Sequence, residues 1–511
     1  MFRWNRVVAL CTLLGLLTAP LSAPAAVVTW SAMPNDFYWS NTANWTGAAV
    51  PVNNDELVFG SSSITTSYND LFSLATIKSV TFSGTGYYVY GNALNVTDKI
   101  TNSAGSNNWG INTTFTGTGS TLVIENTSTS LTPETLTISG SVDAGTKAIE
   151  LSAAVNQVIN VTGQIWTADN GLTKTGDGTA ILNNSNWFSG PVAVNAGVLE
   201  VVDPSALGDY SSTNNVSVNN GSTLRFNSFG FYNFGSSRTL TIGTGGGTIE
   251  TVGGVINVDG MLAGSGTLTK TGGGDLYLVN SVSNTLSGDV VVNQGQLYLS
   301  MPTLSPLGTS SSLSINSSAA GAARVLFGSG ASNQLPAAIT LAISANGGNE
   351  AALDLQGNSQ TLSGAVSITS ATYGGAGIRT GWNGTLVLNT NLTLNNNRSA
   401  AGNNAREVFL SATGDRSGVG TGGTLDLNGG TRTITVNSRA PGNIGGADAA
   451  IDLDIINGAL VKAGPRRLFL NGNNTFAGGL TINQGVVVPS GDAAVGTGTI
   501  DLNGGGIGWN G

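Results

Sequence analysis

The chain has 511 residues, 74 of them Gly, and only 9% are charged. Such low charge can accompany disorder, but disordered chains also lack apolar residues, and here 40% are apolar. A net charge of −9 with no Lys/Arg run argues against nucleic acid or anionic lipid as partner. The complete absence of His removes Ser-His-Asp machinery, the usual zinc sites and His-based proton transfer.

In chain order, MFRWNRVVALCTLLGLLTAPLSAPAA comes first. It places Arg3 and Arg6 before an apolar run from Val7 to Leu17, then Ala23-Pro24-Ala25, a small-residue cleavage site. The run is too short to span a bilayer stably. Residues 1–25 are therefore expected to be a Sec signal peptide, with the mature chain starting at Ala26 or Val27. Cys11 leaves with that segment, so the exported chain is expected to hold neither thiol nor disulfide.

Residues 26–63 differ in composition, with Trp30, Trp39 and Trp45 in a short span. They read as an aromatic plug over the first coil of the array that follows, because an open solenoid end needs cover. The other reading is a platform on which sugars stack.

From residue 64 onward the chain repeats itself. GLTKTGDGTAILNNSNWFSGPVAVNAGVLEVVD begins at Gly171, and near copies begin at Gly266 and Gly458. Lys174, Lys270 and Lys462 head the copies, at intervals of 270 − 174 = 96 and 462 − 270 = 192 residues. Twice the first interval implies a degenerate copy between the last two. Arg379-Thr380-Gly381 fits it, with the cation kept as Arg, so cores are placed near 171–203, 266–299, 378–397 and 458–488.

Within a copy, Ala180/Leu276/Leu468 and Leu182/Leu278/Leu470 alternate with outward residues, as do Val192/Val290/Leu480 and Val194/Val292/Ile482. That period of two marks strands. Corners at Gly197, Gly295 and Gly485, each in an Asn-x-Gly, tolerate positive φ. Strands of four to six residues between tight corners, with no helix-period segment, predict an all-β fold: one elongated β-solenoid rod in which each strand pairs with its equivalent a turn away. With about 20 to 25 residues per turn, the rod has roughly 20 turns and a length on the order of 100 Å.

The pattern G-x-L-x-K-x-G-x-G-x-L-x-L followed by F-x-G-x-V-x-V-N-x-G-x-L resembles the autotransporter-associated β-strand repeat, also called the passenger-associated transport repeat. Leu207-Gly208, Leu307-Gly308, Val495-Gly496 and the stretch Gly498–Gly506 fit the same likeness. The resemblance implies a right-handed parallel β-helix that is exported to the cell surface, outer membrane or medium and is scaffold, not enzyme. It also implies a β-barrel translocator as partner. No run of tilted ten-residue strands is found within this chain, and the array is expected to be truncated, since it stops inside a repeat at GGGIGWNG. The segment Trp39–Phe59 resembles the W-S-x-x-x-N-W-x-G…P…D-x-x-V-F opening that precedes such repeats in large bacterial surface proteins.

Motifs that carry chemistry are mostly excluded. Lys-Thr-Gly belongs also to serine β-lactamases, but their S-x-x-K and S-D-N are absent. Lys174 lies two residues after Leu172, so both face inward on a regular strand. An unpaired interior ammonium is costly, and the side chain is expected to curl over the corner onto backbone carbonyls. Asp452 and Asp454 read as a close pair on one strand face, the one candidate for carboxylate catalysis or calcium. Gly445-Gly446-Ala447-Asp448 is a single poor match to a tandem calcium loop. Gly418–Gly423 satisfies G-x-G-x-x-G but leads into a strand, not a helix.

Phe226, Phe229, Phe231, Tyr232 and Phe234 break the alternation and read as a loop folded onto the rod. An interior stack is the first reading. An exposed binding patch made by Phe229, Phe231, Tyr232 and Phe234 is the alternative. The sequence thus predicts an exported, non-enzymatic stalk or adhesive scaffold, with no catalytic residue, metal or cofactor. A surface glycan or a neighbouring cell is the partner to test. The rival is a secreted carbohydrate-active β-helix protein that binds glycan or cleaves it with carboxylates alone.

Overall fold

The computed structural model describes residues 25–301, 305–371, 374–397, 408–413, 422–437 and 449–508. The expected signal segment falls outside the described residues but for Ala25, and so do the Gly445–Asp448 match and most of Gly418–Gly423.

The chain winds as a parallel β-solenoid of about 17 turns. Every turn lays one short strand on each of two or three long faces. A 15-stranded sheet starts at Val27–Thr29 and runs to Thr285–Leu286. A second starts at Thr66–Asn69 and runs to Ile500–Leu502. A third, of 12 strands, starts at Phe231–Asn233 and ends at Gly506–Ile507. A 4-stranded sheet from Ser359–Leu362 to Asp454–Ile456 takes the place left by the first.

Alternation decides which side chains meet. Leu136, Ile159, Ala180, Leu199, Leu224 and Ile249 pair in register on six successive turns of the second sheet. All six are buried, and they form one column of the core. Outward columns fix the same register with polar ladders. Arg225 sits between Glu200 and Glu250 at 3.1 and 2.8 Å. Asn219 donates to the Asn195 side chain at 2.9 Å, and Asn503 to Asn483 at 3.0 Å. A slip of one residue would turn every apolar column outward, so the register is strongly specified.

The turns are longer and fewer than their strands suggest, because corners absorb insertions. Leu172 pairs with Val192, an interval of 192 − 172 = 20 residues. Leu392 pairs with Ile434, an interval of 434 − 392 = 42. At about 4.8 Å per turn the rod is about 80 Å long. Nor is the 96-residue interval a structural period. From Leu172 the first sheet steps through Val192, Val216, Leu240 and Leu262, and only then does the chain reach Lys270, one face further on, in the second sheet. Lys174 belongs to the first sheet, whereas Lys270 and Lys462 share the second.

Candidate functional site

Each repeat lysine stands in a column of core residues. Lys174 pairs with Leu151 before it and Val194 after it; Lys270 pairs with Ile249 and Val292. All three lysines are buried. Lys174 Nζ donates to the carbonyls of Thr175 (2.8 Å) and Gly176 (2.7 Å), and to that of Ala196 (3.2 Å). Lys270 Nζ repeats this with Thr271 (2.7 Å), Gly272 (2.9 Å) and Gln294 (3.1 Å). Lys462 Nζ does so with Ala463 and Gly464 (both 2.8 Å) and Gln484 (3.1 Å). Two bonds close the lysine's own corner, and the third crosses to the next turn. A cation is thereby held in the core by backbone carbonyls, and it bridges consecutive coils.

The corner glycines leave room for the adjoining turn, and at Gly295 and Gly485 for the ammonium as well. Gly197, Gly295 and Gly485 have φ of 62, 73 and 75°, in the left-handed region. A Cβ on Gly295 would lie 2.4 Å from the Gly272 carbonyl oxygen and 2.9 Å from Lys270 Nζ. On Gly485 it would lie 2.5 Å from the Arg466 oxygen and 2.9 Å from Lys462 Nζ. Burial pushes the Lys174 ammonium down to about 8, against the pull of Asp177. It pushes Lys270 to about 7, against Asp275 and Glu250. Opposing this, three carbonyl acceptors use all three protons of the charged form.

Arg379 does not play the lysine's part. It ends the strand Ala376–Arg379 facing outward, and it pairs with Glu350, which also holds Arg324 at 2.6 Å. One more residue lies between Gly381 and Gly384 than between Gly176 and Gly178, and the fourth corner is accordingly built differently.

The aromatic cluster splits. Phe226 and Phe234 are in the core, whereas Phe229 and Phe231 are 82% and 68% exposed and Tyr232 is half-buried. The segment is no loop: Phe231–Asn233 is the founding strand of the third sheet, pairing with Val255, Ile256 and Asn257. Alternation fails there because the chain turns a corner between Phe226 and Phe231.

Sequence reasoning missed Arg238 beside this cluster. It is buried, donates to Asn214 Oδ1 and to the carbonyls of Pro204 (3.0 Å) and Phe234 (2.9 Å), and lies 4.2 Å from the Tyr210 ring centre. Burial pushes its pKa down to about 10. It ties the long corner 202–215 to the next turn, a role that no local motif signals.

Asp452 and Asp454 are not a pair on one face. Asp452 follows the strand Ala449–Ile451 and is buried against Asn471, while Asp454 opens Asp454–Ile456 in a different sheet and accepts from the Asn473 amide at 2.7 Å. Their corner separates them. Among the described residues, no group of three His, Cys, Asp or Glu could hold a metal.

The N-terminal tryptophans point inward. Trp30, Trp39 and Trp45 are buried and pack edge to face, with Trp30–Trp45 ring centres 5.1 Å apart and Trp39–Trp45 5.6 Å apart. The Trp39 indole donates to Ser67 Oγ (2.6 Å) and that of Trp45 to the Trp39 carbonyl (2.9 Å). Rings enclosed in this way cannot stack on a sugar. Other rings can: Phe37, Tyr38, Tyr68, Tyr88 and Tyr90 lie on the outer face of the first turns.

Comparison with known proteins agrees with this geometry. The passenger-associated-transport-repeat family matches residues 172–201, 263–299 and 460–488. Each matched segment contains one lysine clamp with its corner glycine. The chain carries passenger-associated transport repeats. The repeat's Lys and Gly are thus the two halves of one contact between turns. The chain is also similar to the adhesin BmaC autotransporter of Brucella suis biovar 1 (strain 1330), 30% identical over 336 residues. That alignment takes in 63% of this chain and 9% of the relative, so the chain spans a small part of the relative's length. No solved structure matches.

Proposed function

We propose that the chain is the passenger part of an autotransporter-like protein, exported to the cell surface and serving as a stiff stalk with adhesive faces. The observation that carries this reading is the recurrent lysine clamp within an all-parallel solenoid that matches the transport repeat three times. The adhesin relative supports the adhesive side of the reading. A non-enzymatic role fits the separation of Asp452 from Asp454. A β-barrel translocator in the whole polypeptide, removal of residues 1–25 on export and a capping role for residues 26–63 belong to the same reading.

A column of parallel turns can grow on a finished edge, each turn burying its apolar strands on the one before. This gives export a folding-driven direction. The test is protease treatment of intact cells producing the native polypeptide, followed by mass measurement of the released fragments. Release of a rod-sized, protease-resistant product from the cell exterior is the expected result. Protection of the chain until cells are lysed would overturn the surface assignment.

A further inference from the structure

The outer face where the second sheet begins carries a run of contacting rings: Tyr38, bridged onto its first strand, and Tyr68, Tyr88 and Tyr90 on its first two strands, with Tyr68 and Tyr90 half-buried. Tyr38 bridges Tyr68 in parallel, and Tyr68 pairs with Tyr90. Ring centres are 4.3 Å apart for Phe37–Tyr38, 6.0 Å for Tyr38–Tyr68, 4.9 Å for Tyr68–Tyr90 and 5.4 Å for Tyr88–Tyr90. Phe37, Tyr38 and Tyr88 are 37%, 41% and 50% exposed. Buried aromatics are ordinary core; five contiguous rings on the solvent side of a sheet are not. Among the described residues, the hydroxyls of the four tyrosines make no hydrogen bond within the chain and are free for a ligand. Tyr88 stands in the neighbouring outward column, after Thr66, and that column continues as Asn108, Thr137 and Asn160, uncharged groups that donate and accept.

Charge narrows the occupant. Asp36 and Asp70 border the ladder, holding Asn41 at 2.8 Å and Ser40 at 2.6 Å, and no Lys or Arg occurs between Arg6 and Lys78. Lys78 itself is on the first sheet, paired with Glu56 at 2.6 Å. A polyanion would meet carboxylates and no cation. A second copy docked about a two-fold axis would set those carboxylates against each other. Rings about one strand spacing apart that meet edge to face, at 89° for Tyr38–Tyr68 and 63° for Tyr68–Tyr90, give both ring faces and ring edges. With the amides and hydroxyls beside them they suit an extended uncharged polysaccharide, whose sugar faces pack on aromatic rings and whose hydroxyls need both donors and acceptors.

The geometry points to Tyr38, Tyr68, Tyr88 and Tyr90 as a binding track for a neutral polysaccharide. This names the ligand class for the adhesive reading above and rests on it. The full exported chain, run through native gels containing xyloglucan, galactomannan or dextran, with hyaluronan as the polyanion, tests the track. Retardation by at least one neutral polymer is expected. Tyr68→Ala is expected to weaken it at least tenfold, Tyr68→Phe to retain most of it, and Tyr277→Ala, on the third sheet, to leave it unchanged.

Tyr38→Ala, at the first rung, serves as the second variant should Tyr68→Ala fail to fold. No retardation by any neutral polymer, equal retardation by hyaluronan, or retardation indifferent to both alanine variants would overturn the track. A concentration-dependent dimer abolished by Tyr68→Ala would assign the ladder to a second copy instead. Because the assay uses purified protein, its failure leaves cell-surface exposure intact, and protection of the chain on intact cells leaves the gel result intact.

Discussion

Lys270 Nζ donates at 3.1 Å to the carbonyl of Gln294, which lies on the following turn of the rod. The residue after Gln294 is Gly295, whose missing side chain leaves the space that the ammonium occupies. Lysine and glycine are 25 positions apart (295 − 270) and are one structural device.

Lys270→Met keeps the apolar stem and removes the charge and three hydrogen bonds. Carbonyls left without partners in the interior outweigh the relief of desolvation, and the variant is expected to lose about 2 kcal/mol. Urea melts would measure this, and hydrogen exchange would place the loss at the turns holding Gly272 and Gln294. A variant as stable as the parent would show that the clamp is dispensable.

Gly295→Ala is expected to be worse than Gly47→Ala, although both positions have positive φ, +73 and +87°. The backbone penalty of about 1 kcal/mol is shared. Only at Gly295 does the new Cβ strike backbone, whereas at Gly47 nothing lies within 4 Å. Overpacking of this kind adds roughly 1–3 kcal/mol. Equal melting temperatures for the two variants would contradict the contact.

The buried lysines also set a pH dependence. Burial lowers Lys174 to about 8 and Lys270 to about 7, below the 10.5 of the unfolded chain. Between those values and 10.5 the unfolded state binds more protons, so stability rises with pH in that window and is flat in these groups below it. Tyr87 is raised to about 12 by burial, and its contribution falls as pH climbs beyond 10. Melting temperature is expected to climb from about pH 7 to about pH 10 and then decline. A Lys174→Met/Lys270→Met double variant should lose most of the climb; an unchanged climb would place its origin elsewhere.

Polysaccharides incubated with the protein are expected to release no reducing ends. Asp454→Asn should be neutral in stability, since Asn can still accept from the Asn473 amide. Asp452→Asn keeps an oxygen that can accept from Asn471, but it loses the charge-assisted character of that buried bond and should cost about 1 kcal/mol. Sugar release abolished by either change would restore the enzyme reading.

What could be read ahead of the structure followed from local periodicity. The inward columns through Ala180, Leu199 and Leu224 are visible because strands alternate with period two, and the lysine's need for acceptors follows from its place in that alternation. Contacts between turns were less legible, because turn length varies with each corner. Tyr38, Tyr68 and Tyr90 stand 30 and 22 residues apart, so no fixed spacing reveals the ladder. Arg238 reaches Pro204 across 34 residues for the same reason. The Asp452/Asp454 reading failed where one unseen corner put residues two apart at the end of one strand and the start of another, in different sheets.

Unequal turns have a mechanical consequence. A tether pulled from its ends would unwind one coil at a time, each rupture breaking one rung of backbone bonds on each face of the coil and, where present, one ammonium bridge. At about 3.4 Å per extended residue, the coil from Leu172 to Val192 would pay out about 70 Å, and that from Leu392 to Ile434 about 145 Å. Pulled by a single-molecule probe, such a rod would yield in a saw-tooth of uneven steps, lengthening many times over before it let go.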